Sequence, residues 1–208
     1  TGLDARFNRE LFAMGGGNSA VSLGFETRRE GYSSNTDDAL VTNVPSAGRS
    51  PYHVNDASRN VTALSAEFLL PVSKQLELQA AARYDRYSDF GSTFNPKLGF
   101  RFTATPELVL RGSATTGFRA PSLDDVFGPQ QVTFTANPYN DPVLCPNGVP
   151  TANAVESRDC DQQAQAKVGG NANLKPEKSK SFSLGTAFQP AKNLLFTVDY
   201  WNVSLNSK

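Results

Sequence analysis

Gln75-Leu76-Glu77-Leu78-Gln79-Ala80-Ala81-Ala82-Arg83-Tyr84-Asp85-Arg86-Tyr87 changes residue type at every step. Leu76, Leu78, Ala80, Ala82 and Tyr84 fall on one side of an extended chain. Glu77, Gln79, Ala81, Arg83 and Asp85 fall on the other. Period two belongs to a strand, because successive side chains point to opposite faces. The second face carries charges of both signs. A soluble sandwich buries its apolar face and leaves a polar one in water. A membrane barrel turns its apolar face to lipid and its polar face to an aqueous or protein-filled lumen.

The pattern recurs along the chain. Leu98, Phe100 and Phe102 alternate with Lys97, Gly99 and Arg101. Leu108, Leu110, Gly112, Ala114 and Phe118 alternate with Arg111, Ser113 and Thr115. The same alternation runs through Ser179–Phe188, Val61–Leu70 and Ala20–Arg29. Leu3–Ala13 alternates with defects at Arg9 and Phe12, and Leu194–Val203 alternates until the adjacent aromatics Tyr200 and Trp201. A bulge at that pair restores the phase. This predicts about eight strands of roughly ten residues, the length a tilted membrane-crossing strand needs.

The 208 residues carry 20 basic and 20 acidic side chains, so charge gives no reason to expect nucleic acid. No apolar run approaches the roughly 18 residues of a membrane helix. A transmembrane strand shows lipid only every second residue, so this does not exclude a membrane. The chain opens at Thr1 inside what reads as a strand, without a signal peptide, and reads as a piece of a longer chain. Cys145 and Cys160 are its two cysteines, both in one polar segment, and are expected to form a disulfide that staples a long loop outside the cytoplasm.

Connection lengths sort by end. Gly15–Asn18, Pro71–Gln75, Thr105–Glu107 and Pro190–Asn193 read as short turns. At the opposite end lie two long loops, about 33–58 and 119–176, and a moderate connection, Ser88–Thr93. In a meander every second connection lies at the same end, and outer-membrane barrels combine short periplasmic turns with long extracellular loops. Tyr84, Tyr87, Phe90, Phe118 and Tyr32 approach the long-loop end, and Phe102, Phe188 and Phe68 the other, as two interfacial girdles require.

Leu110-Arg111-Gly112-Ser113-Ala114-Thr115-Thr116-Gly117-Phe118-Arg119-Ala120-Pro121-Ser122 resembles a segment of TonB-dependent outer-membrane receptors. Asn171-Ala172-Asn173-Leu174-Lys175-Pro176-Glu177 follows that family's NPxLKPE pattern, with Ala172 in place of the usual proline. Ala82–Gly91, Asn95-Pro96-Lys97 and Val198–Asn202 add further matches in the expected order. The resemblance implies residues 1–208 are part of an all-β, antiparallel up-and-down transmembrane barrel of about 22 strands. The family's plug domain and TonB box have no counterpart in these residues. It implies a bacterial outer-membrane receptor that takes up a scarce bulky ligand, such as a siderophore-bound iron, cobalamin or an oligosaccharide. The implied partners are outer-membrane lipid, the plug domain of the same parent chain, and the TonB complex, reached through the N-terminal part.

Within the motifs, Gly117 lets the strand bend as it leaves the membrane, beside Phe118. Arg119 anchors at the interface or pairs with a loop carboxylate. Pro121 and Pro176 bracket the long loop, since proline cannot donate to a ladder. Asn173, Leu174, Lys175 and Glu177 complete the second motif, and Lys175, Glu177, Lys178 and Lys180 read as a charged collar. Tyr52, Gln130, Gln131, Phe134, Asn137, Tyr139 and Asn140 are the candidate ligand-contacting loop residues, able to stack on or hydrogen-bond a sugar or siderophore. No cofactor, metal or catalytic site is expected. His53 is the sole histidine, so no triad forms, and Asp37-Asp38 and Asp124-Asp125 lack EF-hand spacing. Inward charges such as Glu67, Glu77, Lys97, Arg101, Arg111 and Asp199 are expected to pair across strands. Two other readings are a soluble all-β ligand-binding barrel and a small outer-membrane barrel enzyme. The first requires the opposite sidedness. The second requires a Ser/His/acid set.

Overall fold

The computed structural model describes residues 1–35 and 54–206. Tyr52, His53 and Asp37-Asp38 lie outside them. Eight antiparallel strands form one sheet in the order β1-β2-β3-β4-β5-β6-β9-β10. They are β1 (Gly2–Met14), β2 (Gly17–Ser34), β3 (Val54–Pro71), β4 (Leu76–Tyr87), β5 (Gly91–Thr105), β6 (Leu108–Arg119), β9 (Glu177–Ala191) and β10 (Leu194–Asn206). The sheet is open, with β1 and β10 at its edges. Between β6 and β9 the chain forms α1 (Leu123–Phe127), β7 (Gln131–Phe134), a 3₁₀ turn (Pro146–Gly148), α2 (Glu156–Asp159) and β8 (Gln165–Val168). By compactness there are two units. One is Thr1–Gly31, Ser58–Ser122 and Asn173–Lys208. The other is Tyr32–Ala57 and Leu123–Ala172.

The register places the predicted sets on common faces. Leu64–Tyr84–Phe94, Phe68–Ala80–Leu98 and Leu70–Leu78–Phe100–Gly112–Leu184–Tyr200 are rows of one face. Glu77–Arg101–Arg111–Gly185–Asp199 is a row of the other. The apolar rows stay exposed among the described residues. Leu64, Phe68, Tyr84, Phe94, Leu98, Phe100, Leu110, Phe182, Leu184, Phe188, Val198 and Tyr200 are all exposed, whereas Arg59 and Asp85 are buried. Leaving roughly ten such side chains in water forgoes about 15–30 kcal/mol, more than the 5–15 kcal/mol by which folded domains are stable. The exposed face is therefore built for hydrocarbon. No helix among the described residues is long and apolar enough to cross a membrane.

Several local expectations change. The ladder between β9 and β10 runs without interruption from Phe196 to Asn206, and the irregularity lies instead between Leu194 and Phe196. Trp201, Val203 and Leu205 consequently share the face of Asp199. Backbone bonds, not side-chain type, hold the two-residue period there. The defect at Phe12 is a real bulge between Glu10 and Ala13. The Ser19 hydroxyl serves the backbone it leaves unpaired, accepting from Phe12 N–H at 3.2 Å and donating to Phe12 C=O at 2.9 Å. The moderate connection after β4 contracts to a three-residue turn, Ser88–Phe90, with Gly91 at φ 100° beginning β5. Gly117 serves close approach rather than a bend: it pairs with Ser179, and a β-carbon there would lie 2.8 Å from the Ser179 hydroxyl.

Candidate functional site

The inward face is held by ions that reach over small residues. Arg111 on β6 and Asp199 on β10 form a bidentate pair, with contacts at 2.9 and 2.8 Å, across the intervening β9. Gly185 stands between them in the register. Arg83 on β4 passes over β3 to Glu26 on β2 at 2.8 Å and also holds Asp85 at 2.9 Å. Arg28 joins Glu26 to Glu30, and Gln79 donates to Glu67. Cross-strand pairing of inward charges thus holds for Arg83, Arg111 and Asp199; Asp85 pairs with Arg83 within β4, Glu67 accepts from Gln79 instead, and Glu77, Lys97 and Arg101 form no ion pair among the described residues.

The strongest cluster involves a residue that the alternation did not single out. Arg59 is buried, bonds Glu30 at 2.6 Å and Asp89 at 3.4 Å, and donates to the Pro121 carbonyl at 2.7 Å. Its guanidinium lies 5.2 Å from the centre of the Tyr87 ring. Tyr87 stacks on Phe90 at 4.5 Å and meets Phe118 edge-on at 5.8 Å. Tyr87 is buried and lies in phase with Asp85, so Tyr87, Phe90 and Phe118 form a cluster around Arg59 rather than part of a lipid-facing girdle. The Glu26-x-Arg28-x-Glu30 alternation of sign was the legible trace of this network. Among the described residues, Asp85 Oδ2, Asp89 Oδ1 and Thr116 Oγ1 are buried without a partner.

Pro121 and Pro176 flank the segment between β6 and β9, as the motifs imply. Arg119 at the end of β6 pairs with Glu177 at the start of β9 at 3.7 Å, a largely solvated contact of little energy. Asn173 is engaged, Leu174 is half-buried and Lys175 is exposed.

The loop candidates from Gln130 to Asn140 fall in the second unit, where residues 123–168 are ordered rather than structureless. β7 and β8 pair from Gln131–Val168 to Phe134–Gln165. The two arms continue through Thr135 N–H to Ala164 C=O at 2.9 Å, a bridge between Tyr139 and Gln162, and Asp141 N–H to Asp159 C=O at 2.8 Å. The Cys145–Cys160 disulfide closes the far end, its Cα atoms 5.5 Å apart and 15 residues apart in sequence. A loop of that length contributes about 3 kcal/mol by constraining the unfolded chain. Asp141 Oδ1 accepts from Val143 and Leu144 N–H, and Asp159 Oδ2 accepts from Val155 N–H, each at 2.8 Å. The Arg158 guanidinium and that amide hold the Asp159 carboxyl below the usual aspartate range. Tyr32 donates to Asp124 at 2.5 Å.

On this scaffold Phe134 and Tyr139 are 55% and 63% exposed. Asn137 and Gln130 are also exposed, Gln130 with a partner of its own. Asn140 Oδ1 accepts from Asp161 N–H at 2.8 Å, where Asp161 turns at φ 54°, so this amide shapes the ribbon. The Gln131 side chain, like Tyr52, lies outside the described set. No group of three or more metal-ligating side chains gathers among the described residues.

The family model of the TonB dependent receptor-like β-barrel matches residues 1–207. None of the curated proteins matches the chain in sequence. Among solved structures it resembles the siderophore receptor PirA from Acinetobacter baumannii, with TM-score 0.69 and 18% identity over 100% of this chain and 26% of that one. It resembles the ferric enterobactin receptor PfeA from Pseudomonas aeruginosa, in complex with enterobactin, with TM-score 0.72 and 17% identity over 97% and 26%. The RagAB peptide transporter superposes with TM-score 0.60 and 17% identity over 99% and 23%. The chain therefore spans about a quarter of the length of these neighbours, and at such identities they show the fold alone.

Proposed function

Because the chain belongs to the TonB-dependent receptor β-barrel family of the bacterial outer membrane, we propose that it is the barrel part of an active transporter that captures a scarce, bulky small molecule at its outer loops. A ferric siderophore is the ligand to test first. The observation that carries the reading is sidedness: a family match over residues 1–207 falls on a sheet whose apolar rows are exposed on one face and whose other face carries the Arg111–Asp199 and Arg83–Glu26 ion pairs. The named ligands of the PirA and PfeA neighbours support the siderophore class. The peptide transporter neighbour supports the same fold with another cargo.

In this reading the ribbon between β7 and β8 presents Phe134 and Tyr139 as rigid aromatic surfaces, and Asn137 and Gln130 as polar contacts. The disulfide and the Asp141 and Asp159 turns keep the ribbon ordered before the ligand arrives, which lowers the entropy lost on binding. The plug domain of the parent chain occupies the lumen, where donors on it would meet Asp85, Asp89 and Thr116. TonB acts through the part that precedes the barrel.

The test is uptake of radiolabelled ferric siderophore by cells whose only receptor is the full-length protein. Replacing both Phe134 and Tyr139 with alanine is expected to raise the half-saturating concentration at least about tenfold, as loss of two aromatic anchors does, with the maximal rate little changed. Unchanged uptake in that variant would remove the ribbon from ligand capture, and saturable uptake of peptides instead would reassign the cargo.

A further inference from the structure

A depression of about 510 Å³ lies on the apolar face over β1 to β5. Ala66 and Ala82, paired across β3 and β4, leave room at its base. Phe25, Leu64, Tyr84 and Phe94 border it. Large side chains fill the next row toward the long-loop end, and beyond them the face turns basic. Arg86 stands one pleat repeat past Tyr84, roughly 7 Å further along the same face, opposite Thr62 and Ser92. Arg29 stands two repeats past Phe25 on β2, and its guanidinium donates to the Ser58 hydroxyl at 3.1 Å. Both arginines are exposed, and Arg86 has neither hydrogen bond nor ion pair among the described residues. The inward arginines beside them, Arg28, Arg59 and Arg83, are all matched by carboxylates.

We propose that this groove binds one phosphorylated lipid of the outer leaflet, with an acyl chain over Ala66 and Ala82 and its phosphate between Arg29 and Arg86. The proposal rests on the reading that this face meets lipid. Its specific content is the occupant. An alanine base accepts a chain that the neighbouring Leu and Phe rows exclude. Two cations without carboxylate partners among the described residues, at the headgroup end of the same face, suit a phosphate because guanidinium bonds its oxygens in a bidentate fork. A lipid without an anionic headgroup would leave them unmatched.

The experiment measures lipid retained by the full-length receptor in mild detergent, by native mass spectrometry, after incubation with dioleoyl phosphatidic acid. The expected result is one tightly held molecule. Its retention falls at least about tenfold in the Arg29→Ala/Arg86→Ala variant, and falls again in Ala82→Phe, which fills the groove with the arginines intact. Lys178→Ala/Lys180→Ala, exposed cations on β9 away from the groove, retains lipid like the wild type. Dioleoylglycerol is held weakly, and millimolar inorganic phosphate does not displace the lipid. Equal retention by the double-arginine variant, equal loss in the β9 variant, or displacement by inorganic phosphate overturns the proposal. Heat-modifiable gel mobility reports folding of each variant. A receptor that needs detergent yet retains no lipid fails this proposal alone, while one that stays monomeric in water fails the reading beneath it.

Discussion

Gly185 shows how much one absent side chain decides. Any β-carbon on it would run into the Asp199 carboxylate and lie 3.1 Å from Arg111 Nε, so the bidentate pair crosses β9 only over a glycine. Both partners are half-exposed, so solvent screens the pair, and the two side chains must part to admit the added carbon. Gly185→Ala should cost roughly 1–2 kcal/mol in urea unfolding of the membrane-inserted receptor. Gly99→Ala is the control: the nearest atoms to an added carbon there are 3.6 Å away, and the change should be near neutral. Asp159 gives a pH dependence. Its folded-state pKa is depressed, so its contribution is full above the unfolded value of about 3.9 and is lost as pH falls through the folded value. Acidification below about pH 4 should therefore release Val155 N–H, seen as lost amide protection, whereas an Asp159→Asn variant should show no such pH step.

Within a strand, a one-residue shift exchanges lipid for lumen. Leu78 lies in the row Leu70–Leu78–Phe100, and Gln79 beside it pairs with Gly99 and donates to Glu67. Leu78→Arg should cost about 2–4 kcal/mol, as arginine does near the bilayer midplane, and should block assembly detected by heat-modifiable mobility. Gln79→Arg, set beside Glu67 and open space, should assemble normally. Strand existence and facing were legible because β3 to β6 and β9 alternate almost without fault. The bulge at Phe12 left a visible defect, but β10 did not read correctly. Tyr200-Trp201 looked like a phase break, and inward Trp201, Val203 and Leu205 are apolar without breaking the ladder. The Arg59 cluster escaped notice for a related reason. Its partners Glu30, Asp89 and the Pro121 carbonyl come from three distant segments, a coincidence only the register reveals. The order in residues 123–168 was equally hidden, since isolated backbone bonds, Asx turns and a disulfide leave no periodic trace.

For the molecule as a whole, the inverted distribution of polarity governs everything else. In the sheet, large aliphatic and aromatic side chains are exposed, while the buried set includes Arg59, Asp85 and Thr93. Such a sheet is stable only where hydrocarbon takes the place of a packed core. The most direct measurement places a fluorophore on single cysteines introduced at Leu78 or Gln79 of the full-length receptor in vesicles, the native disulfide kept intact. Quenchers are attached to the lipid acyl chains or dissolved in water. The account predicts that acyl-chain quenchers extinguish the probe at 78 and leave the probe at 79 bright. Equal quenching at both positions, or the reverse order, would contradict it.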